Sequence, residues 1–133
     1  MATRKAVLIV CGGLLQVPAV EAAHALGLLA VVTDARADAP AMRLADEPVV
    51  LDIYDAAGHV RLVETLHRRD DLELVGVFAE GADVEVTVAA AAAAAELPGI
   101  PVEAAKNTKN KARTRARLDA AGIPNPRWCE VDG

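Results

Sequence analysis

The sequence predicts an α/β fold: a Rossmann-like, doubly wound parallel sheet of about five strands. Three observations point there. Wholly apolar runs of strand length recur along the chain, stretches of helix length separate them, and the pairs repeat in units of roughly thirty residues, as βαβ crossovers require. The 133 residues have room for one domain and the beginning of another. With 53% hydrophobic and 25% charged residues the chain can bury a core, and the 2% aromatic content means that Ala, Val, Leu and Ile must build it.

Residues 6–10 (Ala-Val-Leu-Ile-Val) form the first strand, continuous in apolar character as expected of a strand covered on both faces, and closed by Gly12 and Gly13. A helix over residues 16–26 follows. Pro18 sits early in it, where a missing N–H is harmless, Gly27 stops it, and Ala19, Val20, Ala23 and Leu26 make its apolar stripe. Residues 28–33 give a second strand ending in Asp34. Residues 40–45 give a short helix, and residues 49–51 a third strand ending in Asp52. Residues 56–69 read as a helix with Val60, Val63, Leu66 and His67 at helical spacing, and Asp70 and Asp71 break it before a fourth strand at 74–78. Asp83 is placed to cap a helix running to about residue 97, with Glu85 in the first turn where the helix dipole favours negative charge. The seven alanines at 89–95 suit a helix in tight contact with a sheet. Residues 100–102 make a minimal fifth strand. A final helix opens at Asn107 or Thr108 and ends at Ala121. Gly122-Ile-Pro-Asn-Pro126 breaks it, and residues 127–131 start like a strand without a partner. The boundary expected from this pattern separates residues 1–104 from residues 105–133, the latter being the start of a second domain that the chain barely enters.

Charge and composition exclude several functions. A net charge of −5 repels phosphate backbones and anionic membranes, and three aromatic residues (Tyr54, Phe78, Trp128) provide almost no surface for base stacking, so nucleic acid and membrane are excluded as partners. The basic segment offers one local exception, an interaction surface for RNA or an acidic partner. Cys11 and Cys129 make no metal-binding or disulfide spacing, and the amino terminus carries neither a signal-peptide pattern nor a spanning run. Together these predict a cytoplasmic protein.

Ligands of such sheets bind at the carboxyl ends of the strands. Gly12 and Gly13 follow the first strand, which leaves three readings: a bare tight turn, a small-ligand site, or a dinucleotide site with Asp34 as the ribose acid. The full glycine fingerprint is missing. Asp34 and Asp52 lack the further acids that a phosphoacceptor site needs after the first strand, and Asp38 and Asp46 are turn and capping residues. Glu80 and Gly81 follow the fourth strand and can face the same crevice. His24, His59 and His67 show no metal spacing and read as surface or half-buried helix residues. Lys106, Lys109, Lys111, Arg113, Arg115 and Arg117 form a basic segment. Helical spacing puts Lys111 on one stripe with Thr114, Leu118 and Ala121, an inward side suited to an enclosed polyanion such as a nucleotide phosphate.

From residue 6 to residue 126 the sequence resembles the amino-terminal part of ATP-grasp enzymes, closest to the group that includes the large subunit of carbamoyl phosphate synthetase. The matching stretches are Val10-Cys-Gly-Gly-Leu-Leu-Gln-Val-Pro18, Leu44-Ala-Asp-Glu47, Gly81-Ala-Asp83 and Leu97-Pro-Gly-Ile-Pro101. More specific are Asn110-Lys111, Arg115, Leu118 and Gly122-Ile-Pro-x-Pro126. The resemblance implies a Rossmann-like domain followed by the truncated start of an ATP-grasp domain. It implies that Lys111, with Arg115, contacts ATP phosphates, and that Gly12, Gly13, Gln16, Glu80 and Gly81 contribute to an acceptor-substrate site. The implied chemistry is ATP-dependent activation of a carboxylate or bicarbonate as an acyl phosphate, with ATP and Mg2+ as the cofactors of the full-length enzyme. A second phosphate-binding lysine and the acidic magnesium ligands do not appear within 133 residues, so the chain alone is expected to be inactive and to hold neither cofactor tightly. No catalytic residue or metal ligand is assigned within it. Dimers joined through this domain occur in the family, which implies a homodimer as one arrangement. The alternative is a freestanding Rossmann-like module that binds a dinucleotide or small metabolite through Gly12, Gly13 and Asp34.

Overall fold

The computed structural model describes residues 3–131. Its order is β1 (Arg4–Val10), α1 (Val17–Ala25), β2 (Leu29–Asp34), β3 (Glu47–Val50), α2 (Ala56–His67), β4 (Leu72–Phe78), α3 (Glu85–Ala94), α4 (Val102–Lys109) and α5 (Lys111–Ala120). Single 3₁₀ turns at Leu14–Gln16 and Ala41–Arg43 precede α1 and β3. The four strands pair in parallel in the order β3-β2-β1-β4, with Ala6 opposite Leu29 and Val10 opposite Thr33. Pro48 lies inside β3, which is tolerated because β3 is an edge strand and one side of it needs no ladder partner.

The apolar runs build cores on both faces of the sheet. Leu8 and Val10 pack with Val31, Leu74, Val63 of α2 and Ala91 of α3. Val7 and Ile9 pack on the opposite side with Val32, Ala19, Val20 and Ala23 of α1, and Met42. The inward stripe of α2 is His59, Val63 and Leu66, rotated from the expected Val60 and His67. Leu26 falls outside the buried stripe of α1 and is 76% exposed. The alanine helix is apolar all round because it is enclosed: α2 packs on one side, α4 on another and β4 beneath.

Three expectations are corrected. The sheet has four strands; the expected fifth at 100–102 is replaced by the start of α4, for which Pro101 is the N-cap residue and Val102 the first helical position. The single last helix is two, because Asn110 takes an extended conformation (φ −108°, ψ 113°) and its Oδ1 accepts the N–H of Arg113 at 3.0 Å, capping α5. Residues 127–131, expected to start a strand without a partner, pair with no strand; residues 132 and 133 of the expected boundary lie outside those described. Asp83 also falls one position short of the expected cap. Val84 occupies the N-cap of α3, and the Asp83 carboxylate instead meets Lys109.

Candidate functional site

The strand order reverses at β1: β2 and β3 extend to one side and β4 lies on the other. The carboxyl ends of β1 and β4 therefore flank the topological switch point, where an open parallel sheet leaves a crevice for ligands. The turn after β1 is tightly held. Cys11 adopts φ +84°, in the left-handed region, and its N–H donates to the Thr33 carbonyl at 2.9 Å. The Gly12 N–H donates to Asp34 Oδ2 at 2.9 Å, and the Gly12 carbonyl accepts the Ala41 N–H at 2.8 Å. A Cβ on Gly12 would lie 2.7 Å from Met42 Cγ and 3.1 Å from Asp34 Cβ, so close packing dictates glycine here.

Gln16 joins this turn to the loop after β4. Its side chain is buried (2% exposed), and its Nε2 donates to the Glu80 carbonyl across the mouth of the crevice. A Cβ on Gly13 would stand 3.0 Å from Gln16 Oε1. Gly81 has φ +60°, a backbone conformation that selects glycine, and the exposed Leu15 side chain lies beside it. The Glu80 side chain is exposed. Gly12 packs on the β2 side against Asp34 and Met42, while the Gln16 side chain links the turn of Gly13 to the loop of Glu80 and Gly81. An apolar groove of about 290 Å³ between α1 and β4 opens beside it, lined by Val7, Pro18, Ala22, Leu26, Phe78 and Glu80 among others.

Asp34, the ribose acid of the dinucleotide reading, has both oxygens engaged: Oδ2 by Gly12, and Oδ1 by the Arg36 N–H at 2.9 Å. Behind it lies a fully buried histidine. His59 Nδ1 is 2.8 Å from the Asp55 carbonyl, and Nε2 is 2.9 Å from Thr33 Oγ1. A carbonyl only accepts, so Nδ1 carries the proton and Nε2 accepts from the threonine hydroxyl. Burial pushes the His59 pKa down, against the opposing pull of the Asp55 backbone bond and the Asp55 and Asp52 charges. The sequence signal for this side chain was its spacing to Val63 and Leu66, hidden because polarity alone places histidine outside.

The basic end lies at the α4–α5 junction. Lys111 is exposed, contrary to the inward stripe expected from helical spacing, and α5 buries no residue at all. Together with Thr108, Thr114 and Arg115 it lines a hollow of about 220 Å³. Arg115 is half-buried, and its guanidinium donates to Asn125 Oδ1 at 2.8 Å. Asn125 in turn donates to Asp119 and to the Arg115 carbonyl, and Trp128 Nε1 donates to Asp119 Oδ2 at 2.7 Å, folding residues 125–128 back onto α5. Donation from Asn125, then from Trp128, holds the Asp119 pKa below the usual carboxylate range. Lys109 donates to the Asp83 carbonyl at 2.6 Å and pairs with Asp83 Oδ2 at 2.8 Å. Each of this pair shifts the other: the bond to Asp83 raises the Lys109 pKa, and the bond to Lys109 lowers that of Asp83. Nothing in the sequence signals that pairing, because 26 residues separate the partners. Among the described residues no group of three or more His, Cys, Asp or Glu side chains is arranged to hold a metal ion, and no helix is long and apolar enough to cross a membrane.

No family model and no curated protein matches the chain. Solved structures do. Phosphoribosylglycinamide synthetase from Anaerococcus prevotii is 24% identical with a TM-score of 0.74, over 91% of this chain and 30% of that one. L-amino acid ligase from Bacillus licheniformis is 25% identical with a TM-score of 0.66, over 95% and 32%. N5-carboxyaminoimidazole ribonucleotide synthetase from Thermus thermophilus is 26% identical with a TM-score of 0.62, over 90% and 31%. Structures of the last enzyme include complexes with ADP, one of them from Staphylococcus aureus. These neighbours are ATP-grasp enzymes, and the chain spans about 30% of the length of the first of them.

Proposed function

We propose that the chain is the amino-terminal, Rossmann-like part of a cytoplasmic ATP-grasp ligase, with residues 1–104 as that domain and residues 105–133 leading into the nucleotide-binding one. The observation that carries this reading is the Gln16 to Glu80 bond, which draws the glycine turn and the β4 loop together at the switch point of a sheet shared with ATP-grasp neighbours. In this reading the crevice of Gly12, Gly13, Gln16, Glu80 and Gly81 faces a small carboxylate or bicarbonate. Lys111 and Arg115 face the phosphates of ATP. A carboxylate oxygen of the substrate attacks the terminal phosphorus, ADP leaves, and an incoming nucleophile expels phosphate from the resulting acyl phosphate.

The chain's own part is positional and electrostatic. Gln16 locks the two loops at one separation, the buried Gly12 turn gives the crevice a rigid floor, and the exposed Lys111 ammonium offsets charge on the phosphates. In this reading Lys111 and Arg115 answer the phosphates, while no group of three or more His, Cys, Asp or Glu side chains stands among the described residues to hold Mg2+. In the complete enzyme, Lys111→Ala is expected to raise the Kd for ATP at least about tenfold, or about 1.4 kcal/mol, with the circular dichroism spectrum and melting temperature unchanged. Unchanged ATP affinity would overturn the assignment.

A further inference from the structure

Lys109 belongs to neither end of the proposed site, yet it touches the chain between them. Its ammonium donates to the Asp83 backbone carbonyl at 2.6 Å, pairs with Asp83 Oδ2 at 2.8 Å, lies 4.0 Å from Glu85 Oε2, and sits 5.6 Å from the centre of the Tyr54 ring. One side chain thus gathers the loop after β4, the first turn of α3 and the loop after β3. Asp83 is two residues from Gly81, in the loop whose Glu80 carbonyl is bound by Gln16. On the other side, Lys109 is the last residue of α4, directly before the extended Asn110 and the Lys111 that opens α5. α5 buries no residue, and it meets α4 through the Thr114 bond to the Asn107 carbonyl, the Arg113 bond to Glu103, and Asn110, directly after Lys109 at the end of α4.

We propose that Lys109 is a positioning residue that couples the phosphate end of the site to the β4 loop of the acceptor crevice. The inference rests on the ATP-grasp reading of Lys111. Phosphate drawn to Lys111 and Thr108 shifts the α4–α5 junction, and the bond from Lys109 to the Asp83 carbonyl carries that shift into the backbone beside Gly81. Coupling of this kind needs a contiguous set of contacts, and these bonds supply one. Charge supports it as well: the ammonium offsets Asp83 and Glu85, two carboxylates that would otherwise face an incoming polyanion.

The test is an amide NMR titration of the complete enzyme with inorganic tripolyphosphate, following residues 108–115 and residues 80–84 separately. The wild-type enzyme is expected to respond in both segments. In Lys109→Met the response of residues 108–115 persists, with affinity changed by no more than about fivefold, the ceiling for a surface ion pair. The response of residues 80–84 falls at least about threefold, and Lys109→Arg restores it because a guanidinium keeps the charge and the donors. Equal responses of residues 80–84 in Lys109→Met and wild type overturn the coupling while leaving the phosphate reading intact. Silence of residues 108–115 in the wild type overturns the phosphate reading and the coupling with it.

Discussion

The sheet body and the α5 arm are built on opposite principles. Around β1 the side chains of Ala6, Leu8, Ile9 and Val10 are wholly removed from solvent, between helices on both faces. In α5 no residue is buried, and the arm is held by directed polar bonds: Asn110 to Arg113, Thr114 Oγ1 to the Asn107 carbonyl at 2.6 Å, Arg113 to Glu103 at 2.6 Å, and the Asn125 and Trp128 bonds. Packing fixes the crevice at the ends of β1 and β4 as part of a cooperative core. Polar bonds at an exposed helix hold the arm less firmly than packing holds the sheet.

The contrast breaks most sharply under core truncation. Leu8→Ala is expected to cost about 2–5 kcal/mol in a urea titration, whereas Leu118→Ala on the half-buried side of α5 costs less than about 1 kcal/mol. Comparable losses at the two sites would erase the distinction.

Titration of His59 sharpens it from within the body. Its folded pKa lies below the unfolded value of 6.5, so the unfolded chain binds more protons, and this stabilisation is present above pH 6.5 and lost as pH falls toward the folded value. The urea midpoint should drop between pH 7.5 and pH 5.5, and the part of the drop due to His59 should vanish in His59→Gln. An identical pH dependence in the two proteins would show that burial does not depress the His59 pKa in the folded chain. The smallest effect belongs to the arm. Asn110→Ala removes the α5 cap and costs about 1 kcal/mol. Hydrogen exchange should quicken at residues 113–116 with β1 unchanged, and acceleration reaching β1 would mean that the arm and the sheet unfold together.

The same contrast explains what was legible in the sequence. β1 and β2 announce themselves through apolar runs, because a central strand covered on both faces admits little else, and β4, an edge strand with Glu73 exposed, through the apolar run at 74–78. The loops after β1 and β4 were legible for a related reason, since Gly12, Gly13, Glu80 and Gly81 follow strand ends where a parallel sheet opens, whereas Gln16 is marked only by the family resemblance. The arm was misread because no apolar pattern constrains it. Asn110 gives no more warning of a break than any polar helix residue until its side chain is seen capping Arg113, and Ile100-Pro-Val102 has strand chemistry but meets no open ladder. The outward placement of Lys111 has another cause: the stripe keeps its phase, with Thr114 and Leu118 half-buried, but Lys111 stands at the exposed first position of α5.

The position of Trp128 has a spectroscopic consequence. It is the chain's one tryptophan, and its indole N–H is bound to Asp119 on the arm. Tryptophan emission therefore reports the detachment of residues 125–128 from α5, while far-ultraviolet circular dichroism is dominated by the sheet and its helices. The two denaturation curves should separate, with emission changing first. Such non-coincidence, usually taken as the mark of a folding intermediate, would here record a native body that has let go of its arm.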